Sequence, residues 1–213
     1  MGFSPTGGSY FLTNSFKFSH RLHQRSRAEL IALKAGCGVL EKIKKNKINL
    51  NGHIVLHPGS SDYRRSWTEK KWIKLVYLLT KNFKVTVIKT PDSFKLINII
   101  KKNNYNVNIF SGDLVEFKMW LKDQILLIGV DSMAGHLAAE LGVPTLSIFG
   151  SQNPDLTRPL GNFSVIVNPN KVCQHKKKHW RLCANCMDEI DEEVVYNSVV
   201  KLIKKVKKSK NIK

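Results

Sequence analysis

The segment Gly129-Val130-Asp131-Ser132-Met133-Ala134-Gly135-His136 carries the residue types of a phosphate site. An apolar run at 125–128 precedes it and Leu137-Ala138-Ala139-Glu140-Leu141 follows as a helix former, so the chain reads strand, tight turn, helix. The unpaired N–H groups of such a helix's first turn, with the helix dipole behind them, favour a diphosphate, and Ser132 adds a hydroxyl donor. Asp131 and Ser132 are also ordinary helix caps, so this segment alone supports capping without a ligand as well as it supports binding.

A second loop of the same kind lies at 53–67. A short β-branched run ends in His57-Pro58-Gly59, followed by Ser60, Ser61, Arg64, Arg65 and Trp67. Gly59 admits a ligand to the backbone, the serines donate hydrogen bonds, and Arg64 or Arg65 offers phosphate oxygens a planar fork of donors. His57 either orients this loop or reaches a phosphate. Trp67, at a helix start, reads as a packing anchor rather than a stacking surface. A third strand end, Phe149-Gly150-Ser151-Gln152-Asn153-Pro154, is another small polar turn. The three turns share one crevice if their strands lie side by side, at the carboxyl ends where open parallel sheets bind ligands.

The elements that must position these turns are legible as alternating strands and helices. Strands are expected at 54–56, 84–88, 107–110, 125–130, 145–149 and 164–167. Between them, Trp72, Leu75, Val76 and Leu79 fall at helical spacing, as do Leu114, Phe117 and Leu121, and then Val195, Val199, Leu202, Ile203 and Val206. Such alternation predicts an α/β fold, a Rossmann-like parallel sheet flanked by helices. A chain of 213 residues, 42% apolar and 24% charged, can bury a core of that kind in one main domain. There is no run long enough for a membrane span and no secretory leader pattern at the N-terminus, so the cytoplasm is the expected compartment.

Taken in order, His57-Pro58-Gly59-Ser60, Arg65-Ser66-Trp67, Asp131-Ser132 with His136-Leu137-Ala138-Ala139, Phe149-Gly150 with Pro154, and Cys186-Met187 with Ile190, Glu193 and Val195 resemble the lipopolysaccharide heptosyltransferases of glycosyltransferase family nine. The resemblance runs over about residues 50–207. It implies the sugar-nucleotide-binding half of a two-domain GT-B transferase that takes ADP-heptose or a related donor and inverts the anomeric centre without a metal or other cofactor. It also implies that a larger N-terminal domain supplies the acceptor surface and the general base, so 1–49 is expected to be a remnant or linker, 50–207 the donor domain, and 208–213 a basic tail.

Under this reading Arg64 and Arg65 stabilise the leaving diphosphate. Donor contacts are expected from His57, Gly59, Ser60, Ser61, Asp131, Ser132, Met133, Ala134, Gly135, His136, Gly150, Ser151 and Gln152. Two departures bear on the donor's identity. Met133 stands where the family has glycine, and Thr90-Pro91-Asp92 stands where it has a Gly-containing turn and an acid.

The net charge of +19 calls for an anionic partner. Basic runs at 42–47, 175–181 and 201–213 would draw the protein to an anionic membrane surface carrying a lipid-linked glycan acceptor, each lysine near the surface contributing about 1 kcal/mol. Nucleic acid is disfavoured, because no aromatics interleave with the basic runs. Cys173, Cys183 and Cys186, with His175, offer an alternative reading as metal ligands, the Cys183-x-x-Cys186 pair having a common ligand spacing. Cys37, between Gly36 and Gly38, reads as a small packing residue. A non-catalytic sugar-nucleotide-binding subunit that needs a partner chain is the alternative to a transferase, and predicts nucleotide binding without turnover.

Overall fold

A computed structural model of the chain describes residues 2–3, 11–17, 19, 21–38, 48–169, 173 and 183–211. The chain divides into a small unit, Met1–Lys42 with Asn153–Thr157, and a large one, Ile43–Gln152 with Arg158–Lys213. The division falls a few residues before the expected boundary at 49, and returns 153–157 to the N-terminal unit.

In the small unit, β1 (Gly2–Phe3) pairs in parallel with β2 (Ser15–Phe16). Helix α1 (Gln24–Lys34) starts where the His23 ring accepts a hydrogen bond from the Arg25 N–H. It stops at Gly36, whose φ of 80° is the left-handed conformation that glycine adopts cheaply at a helix end. Cys37 just beyond is exposed rather than packed, because the chain has already left the helix.

The large unit is a six-stranded, all-parallel sheet. In chain order it comprises β3 (Ile54–His57), α2 (Glu69–Thr80), β4 (Val85–Ile88), α3 (Phe94–Lys102), β5 (Val107–Phe110), α4 (Leu114–Leu121), β6 (Leu126–Val130), α5 (Met133–Glu140) and β7 (Thr145–Ile148). After the four-residue α6 (Pro154–Thr157) of the small unit come β8 (Ser164–Val167), the short α7 (Asn185–Asp188) and α8 (Glu192–Asn211). Every strand expected from the sequence is present to within a residue at each end.

The central strands are buried on both faces, which is why they read as continuous apolar runs rather than alternating ones. Ile54 and Leu56 point into the core under α2, α3 and α8; Val55 points the other way, towards Phe117, Leu121, Ala134 and Ala138 of α4 and α5. Each of these three strand side chains is fully buried and contributes roughly 1.5–3 kcal/mol. Helix α8 seats Val195, Val199, Leu202, Ile203 and Val206 on the sheet and runs to Asn211. Most of the expected tail at 208–213 is therefore the last turn of α8, since lysine is a good helix former. Lys201, Lys204, Lys205, Lys207 and Lys208 line its exposed side, whereas the basic runs at 42–47 and 175–181 lie outside the described residues. Among the described residues no helix is long and apolar enough to cross a membrane.

Candidate functional site

The strand order is β5-β4-β3-β6-β7-β8. The chain leaves β3 towards one edge of the sheet, returns, and builds outwards from β6 to the other, so the order reverses between β3 and β6. Their carboxyl ends are neighbours, with His57 opposite Gly129. A crevice opens at such a reversal because the crossovers on its two sides pass over opposite faces of the sheet. Here it is an open cleft of about 280 Å³. The turn after β3 lines it with His57, Gly59, Ser60, Ser61 and Arg65, the turn after β6 with Asp131, Ser132 and Met133, and the turn after β4 with Thr90 and Asp92.

The two arginines part company. Asp62 accepts from the Arg64 N–H at 3.0 Å and so caps a 3₁₀ turn over Tyr63–Arg65. With three residues per turn, consecutive side chains leave such a turn about 120° apart. Arg64 folds back on Asp62, with Nε and Nη2 donating to its two carboxylate oxygens at 2.9 and 2.6 Å. That guanidinium and the Arg64 backbone N–H hold the half-buried Asp62 carboxyl well below the usual range, at about 2. Arg64 does not line the cleft. Arg65 does: its Nη2 donates to Ser61 Oγ at 2.7 Å, Nη1 reaches the buried Asp131 at only 3.4 Å, and Nε is buried with no partner. Thr90 Oγ1, on the facing wall, is likewise buried without a partner. A loosely held fork with a spare donor, opposite a spare hydroxyl, is hydrogen-bonding capacity that the fold itself leaves unfilled.

Helix α5 begins at the cleft. Ser132 occupies the cap position without a side-chain bond to the helix, so the first-turn N–H groups receive nothing from it; its Oγ lies 3.5 Å from His57 Nδ1 instead. Met133 is 56% exposed on the cleft wall. Ala134 is fully buried, and a Cβ on Gly135 would meet Pro159 Cγ at 3.0 Å, so these two face the core and neither lines the cleft. His136 is exposed, one position further round the helix, and does not line the cleft. Burial pushes the His57 imidazole below its ordinary value, against the opposing pull of backbone hydrogen bonds and the Asp92 charge. It sits 6.4 Å from the Phe117 ring.

The turn after β7 does not join this cleft. A Cβ on Gly150 would lie 2.9 Å from Met187 Sδ, because Met187, 1% exposed, plugs that strand end. Ser151 Oγ accepts from the Cys183 N–H at 2.8 Å, and Gln152 is not among the lining residues. The third turn that lines this cleft is instead the one after β4, with Thr90 and Asp92. Their signal in the sequence was the end of the strand at 84–88, where Thr90-Pro91-Asp92 stood out only as a departure from a pattern.

Asp92 also borders a second hollow, of about 510 Å³, on the other side of the β3 and β4 turns. Pro58, Tyr63, Trp67, Trp72, Lys95 and Leu96 contribute to its lining, and the buried Trp72 Nε1 has no partner. Trp67 is the packing anchor the sequence suggested. It is 3% exposed, lies edge-on to Trp72 at 5.3 Å, and donates from Nε1 to the Ile190 carbonyl, which also accepts from Lys71 Nζ.

The Sγ atoms of Cys173, Cys183 and Cys186 lie within 4.8 Å of one another. Burial and the two neighbouring thiols push the Cys186 thiol up. His175 lies outside the described residues.

Comparison with known proteins identifies the family of the chain. Lipopolysaccharide heptosyltransferase 1 of Campylobacter coli is 27% identical over 174 residues, covering 78% of this chain and 48% of that protein. Among solved structures, the E. coli heptosyltransferase WaaC with ADP superposes with a TM-score of 0.68 at 16% identity, over 91% of this chain and 61% of that one. The family 9 glycosyl transferase from Veillonella parvula gives 0.69 at 15%, over 92% and 64%. The chain thus spans about half the length of the curated relative and under two thirds of the solved ones, and its sheet is one Rossmann-like half of their GT-B architecture. The family model for glycosyltransferase family 9 (heptosyltransferase) matches residues 28–185, well over half of the sequence, and the chain belongs to that family.

Proposed function

We propose that the large unit binds the nucleotide-sugar donor of a heptosyltransferase, with ADP-heptose as the donor and a lipopolysaccharide-core or other lipid-linked glycan as the acceptor. The observation that carries this is the unfilled hydrogen-bonding capacity at the strand-order reversal: Arg65 Nε and Thr90 Oγ1, both without partners, beside the uncapped start of α5. The diphosphate lies against Arg65, Ser60, Ser61 and the α5 N-terminus. Its negative charge offsets what Asp92 and Asp131 bring to the same cleft, and those carboxylates suit hydroxyl groups, Asp92 the ribose and Asp131 the sugar. Asp92 borders both hollows, so a nucleotide spanning them puts its base beside Trp72 Nε1 and the Tyr63 ring.

Catalysis here is leaving-group stabilisation. As the bond from the anomeric carbon to the diphosphate breaks, charge grows on the departing oxygen, and Arg65 and the helix N-terminus hold it more tightly than the ground state. Attack by an acceptor hydroxyl, with inversion and without a metal, uses a carboxylate base that belongs to the acceptor-binding half in the family's two-domain arrangement. The lysine face of α8 supports association with the cytoplasmic side of an anionic membrane. Campylobacter coli lipopolysaccharide heptosyltransferase 1 and the ADP-bound WaaC fold support this donor and acceptor class.

Thermal-shift and calorimetric titrations with ADP, ADP-heptose, UDP and GDP test it, using Arg65→Ala and Arg64→Ala separately. ADP-linked ligands should stabilise the wild type and Arg64→Ala alike, and Arg65→Ala should bind about 10- to 100-fold more weakly, the loss of one charged hydrogen-bonding group. Equal losses in both variants, or no stabilisation by any nucleotide, would overturn the assignment.

A further inference from the structure

We propose that Cys173, Cys183 and Cys186 are three ligands of a tetrahedral site for a thiophilic divalent metal ion, zinc or ferrous iron, which fastens the segment that plugs the third turn. These three sulfurs are separate from the proposed nucleotide site, since none of them lines that cleft.

Geometry carries it. In a tetrahedral thiolate site the metal–sulfur distance is about 2.3 Å, which sets the sulfurs about 3.8 Å apart. The three Sγ atoms already lie within 4.8 Å of one another, so shifts of under about an ångström close the site around an ion. Three cysteines from two separate stretches meet here. Cys183 and Cys186 flank the start of α7 at the two-residue spacing that lets one turn present both sulfurs to a single ion, and Cys173 arrives from the chain leaving β8. Soft thiolates select zinc or iron over magnesium or calcium, and the fourth position is open to a further nitrogen, oxygen or sulfur donor.

The location supplies a purpose. The Cys183 N–H donates to Ser151 Oγ, and Met187, next to Cys186, covers Gly150. Ala184 and Asp188 of the same stretch line the second hollow. An ion joining Cys173 to this stretch holds the plug and one wall of that hollow without touching reacting atoms. Binding involves no redox change. Each thiol that ligates gives its proton to solvent, so affinity rises with pH.

The test uses the full chain, freed of any affinity tag and purified under reducing conditions from zinc- or iron-supplemented cultures. Elemental analysis should find about one zinc or iron per chain, and X-ray absorption should show sulfur neighbours at about 2.3 Å. Cys37→Ser should keep the ion. Cys173→Ser and Cys183→Ser, at half-buried positions, should each lose most of it. Chelation of the wild type should lower its Tm, with recovery on adding zinc or ferrous iron but not magnesium. A metal content below about a tenth of an equivalent with all four thiols titrating freely, a disulfide between two of the three, or full metal content in Cys173→Ser would each overturn the proposal.

Discussion

Two turns of this protein begin with nearly the same words and end in different places. After β3 the chain reads Pro58-Gly59-Ser60-Ser61, and after β7 it reads Phe149-Gly150-Ser151-Gln152. The first stays open as a wall of the cleft at the strand-order reversal. The second is closed, with Met187 over its glycine and the Cys183 N–H on its serine. Small polar residues at a strand's carboxyl end mark a place where a ligand fits, but a distant segment of the same chain can fill that place first. What decides is the strand order: β3 sits at the reversal, where crossovers diverge, whereas β7 lies one strand further out, within reach of the segment that follows β8.

The contrast can be broken most severely at Met187. Replacing this buried plug with alanine should cost about 2–5 kcal/mol and lower Tm by roughly 5–15 °C, while ADP affinity, measured well below the transition, stays within about threefold. A folded Met187→Ala that no longer binds ADP would mean that the turn after β7 belongs to the nucleotide site, and the distinction between open and closed turns would go with it.

A paired substitution sharpens the comparison at smaller cost. In Gly59→Ala the new Cβ lies 2.9 Å from Thr90 Oγ1 and 3.3 Å from Asp92 Oδ2, so it pushes both cleft groups aside. ADP affinity should fall about 3- to 10-fold, with stability nearly unchanged. In Gly150→Ala the Cβ meets Met187 at 2.9 Å from Sδ and 3.0 Å from Cγ, the far part of a flexible side chain, and about 1 kcal/mol of stability should be lost with affinity unchanged. Chemical denaturation and calorimetry on both variants should show these effects crossing over. Parallel losses in the two would erase the difference between the turns.

Strands, helices and the phosphate-type turns were legible because each rests on local signals: a continuous apolar run for β3 and β6, helical spacing on α2 and α8, a serine and glycines at the start of α5. Arg64 and Arg65 looked interchangeable since nothing local distinguishes them; the 3₁₀ turn capped by Asp62 sends one outwards and the other into the cleft. Asp92 and Thr90 went unassigned because their role depends on β4 lying beside β3, a pairing between strands about thirty residues apart. The plugging of Gly150 by Met187 was equally out of reach, since it is a contact between side chain and backbone across unrelated segments. The meeting of the three cysteines was suggested by spacing, but their distances come only from the fold.

The smallest expected effect separates the two strand ends by what stands there. β3 ends in His57, a titratable ring at the cleft; β7 is followed by Phe149, fully buried. Burial lowers the His57 value in the folded chain below the 6.5 of the free side chain, so as pH falls through 6.5 the unfolded chain takes up its proton first. The unfolded state then binds more protons than the folded one, and stability must fall with pH from 6.5 down to the lowered folded value, with a slope of at most about 1.4 kcal/mol per pH unit for one group. His53, lowered by burial and by the nearby Lys84 charge, acts in the same window. Asp62 does not: its contribution is complete above 3.8 and is lost only on the way down to about 2. Urea unfolding between about pH 5 and about pH 7.5 should therefore show stability rising with pH, less steeply in His57→Gln, with His53→Gln accounting for the rest. Adding ADP should steepen the wild-type dependence if the neutral ring is the form that sits beside Ser132 and the diphosphate, and should leave it unchanged if His57 only shapes the loop. An unaltered slope in His57→Gln without ligand would mean that the ring exchanges protons alike in both states, and that the end of β3 is no more a titrating site than the apolar end of β7.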